Sequence, residues 1–122
     1  MSRCYLDTHE WAQADGAEII VGLSAHAAHE VGDVIHVELP TVGATVARGA
    51  SMAEIESVKS VNEFYSPVAG RVTAVNPALA GKPELLNQDP LAGGWIARIA
   101  PSSPKPLDGL LDEKTYLAKV GS

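Results

Sequence analysis

Short runs in which hydrophobic and polar residues alternate make up most of this chain. A repeat of two residues is typical of β-strands. Two β-branched runs are the clearest, Glu18–Leu23 and Val34–Leu39, and the second ends at Pro40. Gly, Pro or Asn residues bound five more predicted strands, at Ala44–Ala47, Met52–Ser57, Val61–Ser66, Arg71–Val75 and Gly94–Ile99. Seven short strands at this spacing predict a mostly β fold, either a sandwich or a flattened barrel.

Two segments have helical rather than alternating patterns. In the N-terminal half, Ser24 is a suitable N-cap and Gly32 a suitable stop for a short helix. Near the C-terminus, Ser103-Pro104 can begin a helix, and leucines follow at helical spacing up to Leu111, with a second turn over 112–120. We expect this helical tail, about 103–120, to pack on a β core of about 5–100, within a single domain spanning 1–122.

Length and charge narrow the classes of function. A chain of 122 residues has room for one hydrophobic core, and its net charge of −6 lies entirely in residues 1–61. This acidity argues against nucleic acid or an anionic membrane as partner. The longest stretch without a charged residue, Ile19–His29, is shorter than the roughly 20 residues of a membrane-spanning helix. No apolar run precedes Asp7, so we expect a cytoplasmic protein, or a mitochondrial one only if a transit peptide has been removed.

Residues that commonly carry out catalysis are scattered. The four histidines, at 9, 26, 29 and 36, and the single Cys4 have no spacing typical of a metal site. The sequence also contains no nucleophile-elbow and no glycine-rich phosphate loop. We therefore expect neither a catalytic site nor a metal site within this chain.

The segment from Met52 to Gly70 is the most informative one. As two strands, it directs Glu54 and Glu56 to one face and Ala53 to the core. Residues 57–60 then form a turn that displays Lys59, and Glu63 lies on the returning strand. Pattern alone leaves open whether Lys59 is functional or an ordinary surface lysine, because no Asn-Gly or Asp-Gly marks a tight hairpin.

Several motifs together resemble a known family. They are His9-Glu-Trp11, Gly32-Asp-Val-Ile-His-Val-Glu-Leu-Pro40, Glu56-Ser-Val-Lys-Ser60, Tyr65-Ser-Pro-Val-Ala-Gly70, Pro83-Glu-Leu-Leu-Asn-Gln-Asp-Pro90 and Gly94-Trp95. In this order, from about Tyr5 to Tyr116, they closely resemble the H protein family of the glycine cleavage system. The resemblance implies a barrel-sandwich hybrid similar to a lipoyl domain.

The resemblance also implies lipoic acid attached covalently to Lys59, on a carrier that is not itself an enzyme. In that family the lipoyl arm accepts an aminomethyl group from glycine at the decarboxylase (P protein). It presents the group to the tetrahydrofolate-dependent aminomethyltransferase (T protein), and lipoamide dehydrogenase (L protein) reoxidises it. A lipoyl or octanoyl ligase or transferase would attach the arm. We expect a monomer, since a shuttle must visit each enzyme in turn.

By the same resemblance, Glu10 is expected to hold the cargo amine through charge-assisted hydrogen bonds. His9 is expected to position the same segment. Glu63 stands where the family usually has Asp and keeps an acid near the modified lysine. Glu54 and Glu56 are candidates for the surface that the ligase and the partner enzymes recognise, or else simply make their strand soluble.

Three alternatives remain at this point. An H-like protein acting in lipoyl relay or regulation would keep Lys59 as well. A biotinyl carrier domain shares the fold, but its lysine normally lies between methionines, whereas Val58 and Ser60 flank this one. A plain interaction module would leave Lys59 unmodified.

Overall fold

The computed structural model describes residues 3–120, which form ten strands and four short helices. The strands are β1 Cys4–Tyr5, β2 Glu10–Asp15, β3 Glu18–Leu23, β4 Val34–Glu38, β5 Thr45–Val46, β6 Ser51–Ser57, β7 Val61–Tyr65, β8 Gly70–Val75, β9 Ala97–Pro101 and β10 Leu111–Asp112. The helices are α1 Ala25–Val31, α2 Ala78–Gly81, α3 Leu85–Gln88 and α4 Glu113–Val120.

The strands form two antiparallel sheets. The larger has seven strands in the order β10-β1-β2-β3-β9-β8-β5, and the smaller has three in the order β4-β6-β7. Side chains of both sheets belong to one hydrophobic cluster, in which Phe64 and Ile55 of the small sheet join Val21 and Val72 of the large one. Aliphatic residues dominate this core, and the architecture confirms the predicted barrel-sandwich hybrid.

Helix α1 follows the prediction and positions the lysine-bearing hairpin. Ser24 accepts a hydrogen bond from the Ala27 amide, and Gly32 ends the helix with a φ of +80°. Asn87 of α3 ties this end to the small sheet: its side chain donates to the Gly32 carbonyl (2.8 Å) and accepts from the Val34 amide (2.9 Å). The amide side chain of Asn87, which is partly buried, therefore ties the segment between α1 and β4 in place.

The C-terminal tail corrects the sequence analysis. Residues 103–110 form successive turns instead of a helix, and only the second predicted helical turn exists, as α4. Pro106 disfavours helical geometry at Lys105, and Gly109 has a φ of +85°. Leu107 and Leu110 still pack against the main core. The spacing of these leucines therefore indicated buried positions, but the backbone that places them is a series of turns.

The sequence analysis missed five elements. Strands β1, β2 and β10 lie at one side of the large sheet, and the one-turn helices α2 and α3 lie in the segment between Val75 and β9. Among residues 3–120, no helix has both the length and the apolar character that crossing a membrane requires.

Candidate functional site

Lys59 lies exposed in the turn that joins β6 to β7. The Ser57 amide donates to the Ser60 carbonyl (2.8 Å), and the Ser57 hydroxyl accepts from the Ser60 amide (3.2 Å). Because Ser57 is itself buried, these bonds fix the turn to the sheet. Lys59 is thus displayed on a hairpin, as predicted. Its modification stays a prediction.

The stem of Lys59 runs along the end of α1. The Val58 amide donates to the Asp33 carbonyl (3.0 Å), which joins the hairpin to the segment after α1. A Cβ at Gly32 would lie 3.2 Å from the Lys59 Cε, closer than comfortable contact. Gly32 therefore provides both the left-handed backbone that ends α1 and the room in which the lysine stem lies.

Three glutamates form a row across the outer face of the small sheet. Glu38 of β4 is paired with Glu54 of β6, and Glu54 with Glu63 of β7, all three exposed. Glu56 lies one register step nearer the turn, opposite His36 and Val61. Like charges directly opposite one another destabilise a sheet, so this row of Glu38, Glu54 and Glu63 does not serve stability.

The predicted orientation of β6 is confirmed, with Ala53 and Ile55 buried and Glu54 exposed. Glu38 was missed as a member of the acidic surface, since the pairing of β4 with β6 cannot be read from either strand alone.

A cavity of about 220 Å³ lies between α1, the segment before β2 and strand β7. Its lining includes three of the predicted site residues, His9, Glu10 and Glu63, together with His26 and Glu30. Glu54 and Glu56 are not part of this lining and belong to the outer face of the small sheet. His9 and Glu10 thus belong to the cavity, Glu54 and Glu56 to the outer face, and Glu63 to both.

Glu10 is the buried acid of this cavity, with only 1% of its surface exposed. Its carboxylate accepts a hydrogen bond from the Thr8 hydroxyl on one oxygen and from the Tyr65 amide (3.1 Å) on the other. Burial raises the pKa of Glu10 above its usual range. Within residues 3–120, no Lys, Arg or His nitrogen lies within 4.0 Å of it. The cavity therefore holds a carboxylate with spare acceptor capacity and no counter-charge.

The burial of Glu10 predicts that the stability of the folded protein depends on pH. Because the pKa of Glu10 is raised on folding, the folded protein binds more protons than the unfolded chain at pH values above the ordinary 4.5. The free energy of unfolding should therefore fall as pH rises from there toward the folded pKa. Glu10→Gln keeps the shape and both hydrogen bonds, with the Thr8 hydroxyl turned to accept, and removes the buried charge.

We expect Glu10→Gln to melt at a higher temperature than the unaltered protein at neutral pH, with the difference vanishing near pH 4, about the ordinary pKa of a glutamate. Thermal unfolding monitored by circular dichroism across this range measures it. Asp108→Asn, which removes an exposed carboxyl outside the cavity lining, is the matched control. A constant difference between Glu10→Gln and the unaltered protein at every pH would contradict the prediction.

His9 lies beside Glu10 and is held from two directions. Its Nδ1 is 2.6 Å from the Tyr116 hydroxyl, and its ring centroid is 5.1 Å from that of His26. Burial, followed by the proximity of His26, lowers the pKa of His9 below its usual range. The spacing of His26 in the sequence indicated no metal site, and its side chain lines the same cavity as His9.

The other histidines and the cysteine stay apart from this site. His29 lies in the last turn of α1, His36 is exposed on β4, and Cys4 lies in β1. Within the described part of the chain, no group of three or more His, Cys, Asp or Glu residues is arranged to hold a metal ion.

Comparisons with known proteins agree with this geometry. The family model of the glycine cleavage H-protein matches residues 3–122. Curated glycine cleavage system H proteins of Myxococcus xanthus and Thermus thermophilus are each 47% identical over 114 residues, or 93% of this chain, covering 88% and 89% of the relatives.

A solved structure is similar over almost the whole chain. It is the crystal structure of a glycine cleavage system H protein from Mycobacterium marinum, with a TM-score of 0.88 and 33% identity, and the match covers 98% of this chain and 97% of that one. Sequence, family model and fold agree, and the chain belongs to the glycine cleavage H-protein family.

Proposed function

We propose that this chain is the lipoyl-bearing shuttle of a glycine cleavage system, with lipoic acid attached to the Nζ of Lys59 through an amide. The observation that carries the proposal is the position of exposed Lys59 on the hairpin between β6 and β7. Strand β7 borders the cavity in which the buried Glu10 carboxylate has no counter-charge among residues 3–120. The chain is a carrier in this proposal and performs no catalysis alone. Amide formation removes the charge of Lys59 and changes the net charge from −6 to −7.

The cavity fits the cargo of such a shuttle. A lipoyl group supplies a disulfide, one sulfur of which can carry an aminomethyl group. Glu10 offers free acceptor positions to the cargo ammonium, and Glu63 adds a second carboxylate to the same lining. A protonated amine would supply the positive charge that Glu10 lacks. Closeness of a cation would lower the pKa of that carboxyl again and so favour its ionised form.

His9 and Thr8 support the same group. Thr8 donates to the carboxylate of Glu10, and His9 directly precedes it in the chain. Their role in the proposal is to keep the carboxylate in place and leave its remaining acceptor positions to the cargo.

The acidic row is the proposed recognition surface. Within residues 3–120 no ion pair involves Glu38, Glu54, Glu56 or Glu63, and Glu56 is the one nearest the turn that carries Lys59. The complement of this acidic surface is a basic surface on the enzymes that use the arm. These are the decarboxylase (P protein), the aminomethyltransferase (T protein), lipoamide dehydrogenase (L protein) and the lipoyl or octanoyl ligase or transferase.

We infer a monomer, because one hairpin must dock on several enzymes in turn. The relatives reported above come from bacteria, and we accordingly place the proposed shuttle in the cytoplasm.

Intact mass spectrometry of the protein purified from its own host tests this proposal. A lipoyl increment that maps to Lys59 supports it, a biotin increment supports a biotinyl domain, and absence of any increment rejects both carriers. A second step separates glycine cleavage from lipoyl relay: the lipoylated protein is incubated with glycine decarboxylase and glycine labelled at its α-carbon, since the carboxyl carbon leaves as carbon dioxide. Transfer of label to the protein supports the cleavage role, whereas a lipoylated protein that takes up no label is a relay or regulatory form.

A further inference from the structure

Tyr116 of α4 lies buried against the N-terminal segment, with 1% of its surface exposed. Its ring stacks on Tyr5 with centroids 4.1 Å apart and planes 3° from parallel. The Tyr5 hydroxyl donates to Glu113 (3.0 Å), and Lys119 pairs with Asp7 (2.7 Å). The C-terminal helix is therefore clamped to the segment that leads into the Glu10 strand.

The hydroxyl of Tyr116 has a more specific environment than this clamp requires. It donates to the Ser24 Oγ (2.8 Å), which also accepts from the Ala27 amide (3.1 Å), and it lies 2.6 Å from His9 Nδ1. A hydroxyl has a single proton, so with that proton on the Ser24 side the His9 Nδ1 must donate. With Tyr116 donating to Ser24, we therefore expect neutral His9 to be the Nδ1–H tautomer.

The contact between Tyr116 and His9 affects the cavity through the backbone of His9. His9 has a φ of +81° and is the one non-glycine residue with positive φ in the described range 3–120. Its amide donates to the Leu6 carbonyl (3.0 Å), and its carbonyl accepts from the Ser24 amide (2.9 Å). Because Glu10 is the next residue, this left-handed turn sets where the Glu10 side chain leaves the backbone.

We propose that Tyr116 is a positioning residue for cargo retention: its hydroxyl, held between Ser24 and His9, fixes the turn that directs the Glu10 carboxylate into the cavity. This inference rests on the proposed function of Glu10. The proposal makes α4 necessary for holding the aminomethyl cargo but not for attaching the arm, since the Lys59 hairpin lies on the small sheet and has no part in the clamp.

Tyr116→Phe tests the proposal because it removes the hydroxyl and leaves the ring to stack on Tyr5. Lipoylated protein is loaded with labelled aminomethyl by glycine decarboxylase, separated from the enzyme, and followed for first-order loss of label without transferase. We expect normal lipoylation and a lifetime about three- to tenfold shorter, the factor that loss of one net hydrogen bond produces.

Tyr5→Phe is the matched control. It removes the other hydroxyl of the same stacked pair and its bond to Glu113, without touching His9 or Ser24. Its lifetime should equal that of the unaltered protein. If Tyr116→Phe leaves the cargo lifetime unchanged, its hydroxyl has no role in holding the cargo and the proposal is overturned. If Tyr116→Phe and Tyr5→Phe shorten the lifetime equally, the two hydroxyls act only through the stability of the helix, and the proposal is overturned as well.

Combination with Glu10→Ala separates failure of this proposal from failure of the proposed function. If Tyr116 acts through Glu10, adding Tyr116→Phe to Glu10→Ala should change the lifetime by less than about twofold. Full additivity would overturn the positioning role. If Glu10→Ala alone leaves the cargo lifetime unchanged, Glu10 does not hold the cargo and the proposed function of Glu10 is wrong. If Glu10→Ala shortens the lifetime but Tyr116→Phe does not, only the positioning role of Tyr116 is wrong.

A spectroscopic measurement on the unlipoylated protein does not depend on cargo. Long-range nitrogen-proton NMR should show His9 as a single Nδ1–H tautomer in the unaltered protein and a mixture in Tyr116→Phe. An identical tautomer in both would contradict the proposal. Should Tyr116→Phe fail to fold, His9→Gly is the second variant, because glycine adopts positive φ without strain and has no imidazole, and it should shorten the lifetime to the same extent.

Discussion

Lys59→Arg is expected to fold normally, to carry no lipoyl group and to support no glycine-dependent exchange of carbon dioxide. The exposed turn tolerates arginine, whose stem can lie along Gly32 as the lysine stem does. A guanidinium keeps the positive charge but is not deprotonated in proteins, so it offers no amine for amide formation. The expected loss is therefore complete, with little change in melting temperature.

Lys82→Arg is the matched control for this prediction, since Lys82 is also exposed but lies in the loop between α2 and α3. It should be lipoylated and active. The measurements are intact mass after incubation with a lipoyl ligase, and exchange of labelled carbon dioxide with glycine by the decarboxylase. Exchange retained by Lys59→Arg would show that another residue carries the arm.

Glu10→Ala is expected to accept both the arm and the cargo but to lose the cargo quickly. The carboxylate is buried in the cavity and is the group that can bond a protonated amine with charge assistance. A hydrogen bond to a charged group contributes about 1.5–3 kcal/mol, so the lifetime of the aminomethyl cargo without transferase should fall about ten- to a hundredfold. Lipoylation should be unchanged.

Two further variants show whether the effect of Glu10→Ala comes from the loss of its charge. Glu10→Gln keeps the volume and removes the charge, so a lifetime close to that of Glu10→Ala would identify charge as the holding interaction. Asp108→Ala removes an exposed carboxylate that is not part of the cavity lining and should have no effect on the cargo lifetime. A lifetime that is unchanged in Glu10→Ala would contradict the holding role.

Local signals explain which elements could be predicted from the sequence. Strand β3 has the predicted bounds of Glu18–Leu23, and β7 differs from its prediction by one residue. β3 is a β-branched apolar run, and β7 combines Val61 with the aromatic residues Phe64 and Tyr65. Helix α1 was predictable from its two caps, which are local as well. By contrast, β1 and β10 have two residues each, and they form because β1 pairs with β10 on one side and with β2 on the other.

The site divides in the same way. Lys59 could be located from the sequence, because a hairpin turn is set by its own two strands. The burial of Glu10 could not, since it depends on contacts with Tyr65, 55 positions away, and on the turn held by Tyr116, which lies 107 positions from His9. The motif His9-Glu-Trp11 indicated a role for Glu10 only through family resemblance. Thr8 had no signal of its own in the sequence, and Ser24 had one only as the N-cap of α1.

The open sides of the two sheets have a consequence for how this protein behaves at high concentration. The large sheet ends in β10 and β5, each with two residues, and the small sheet ends in β4, which has an irregular register between Val34 and His36, and in β7, where Glu63 is exposed. Very short, distorted or charged outer strands give a second molecule little backbone to extend. The protein should therefore resist edge-to-edge aggregation when present in large excess over any enzyme it meets.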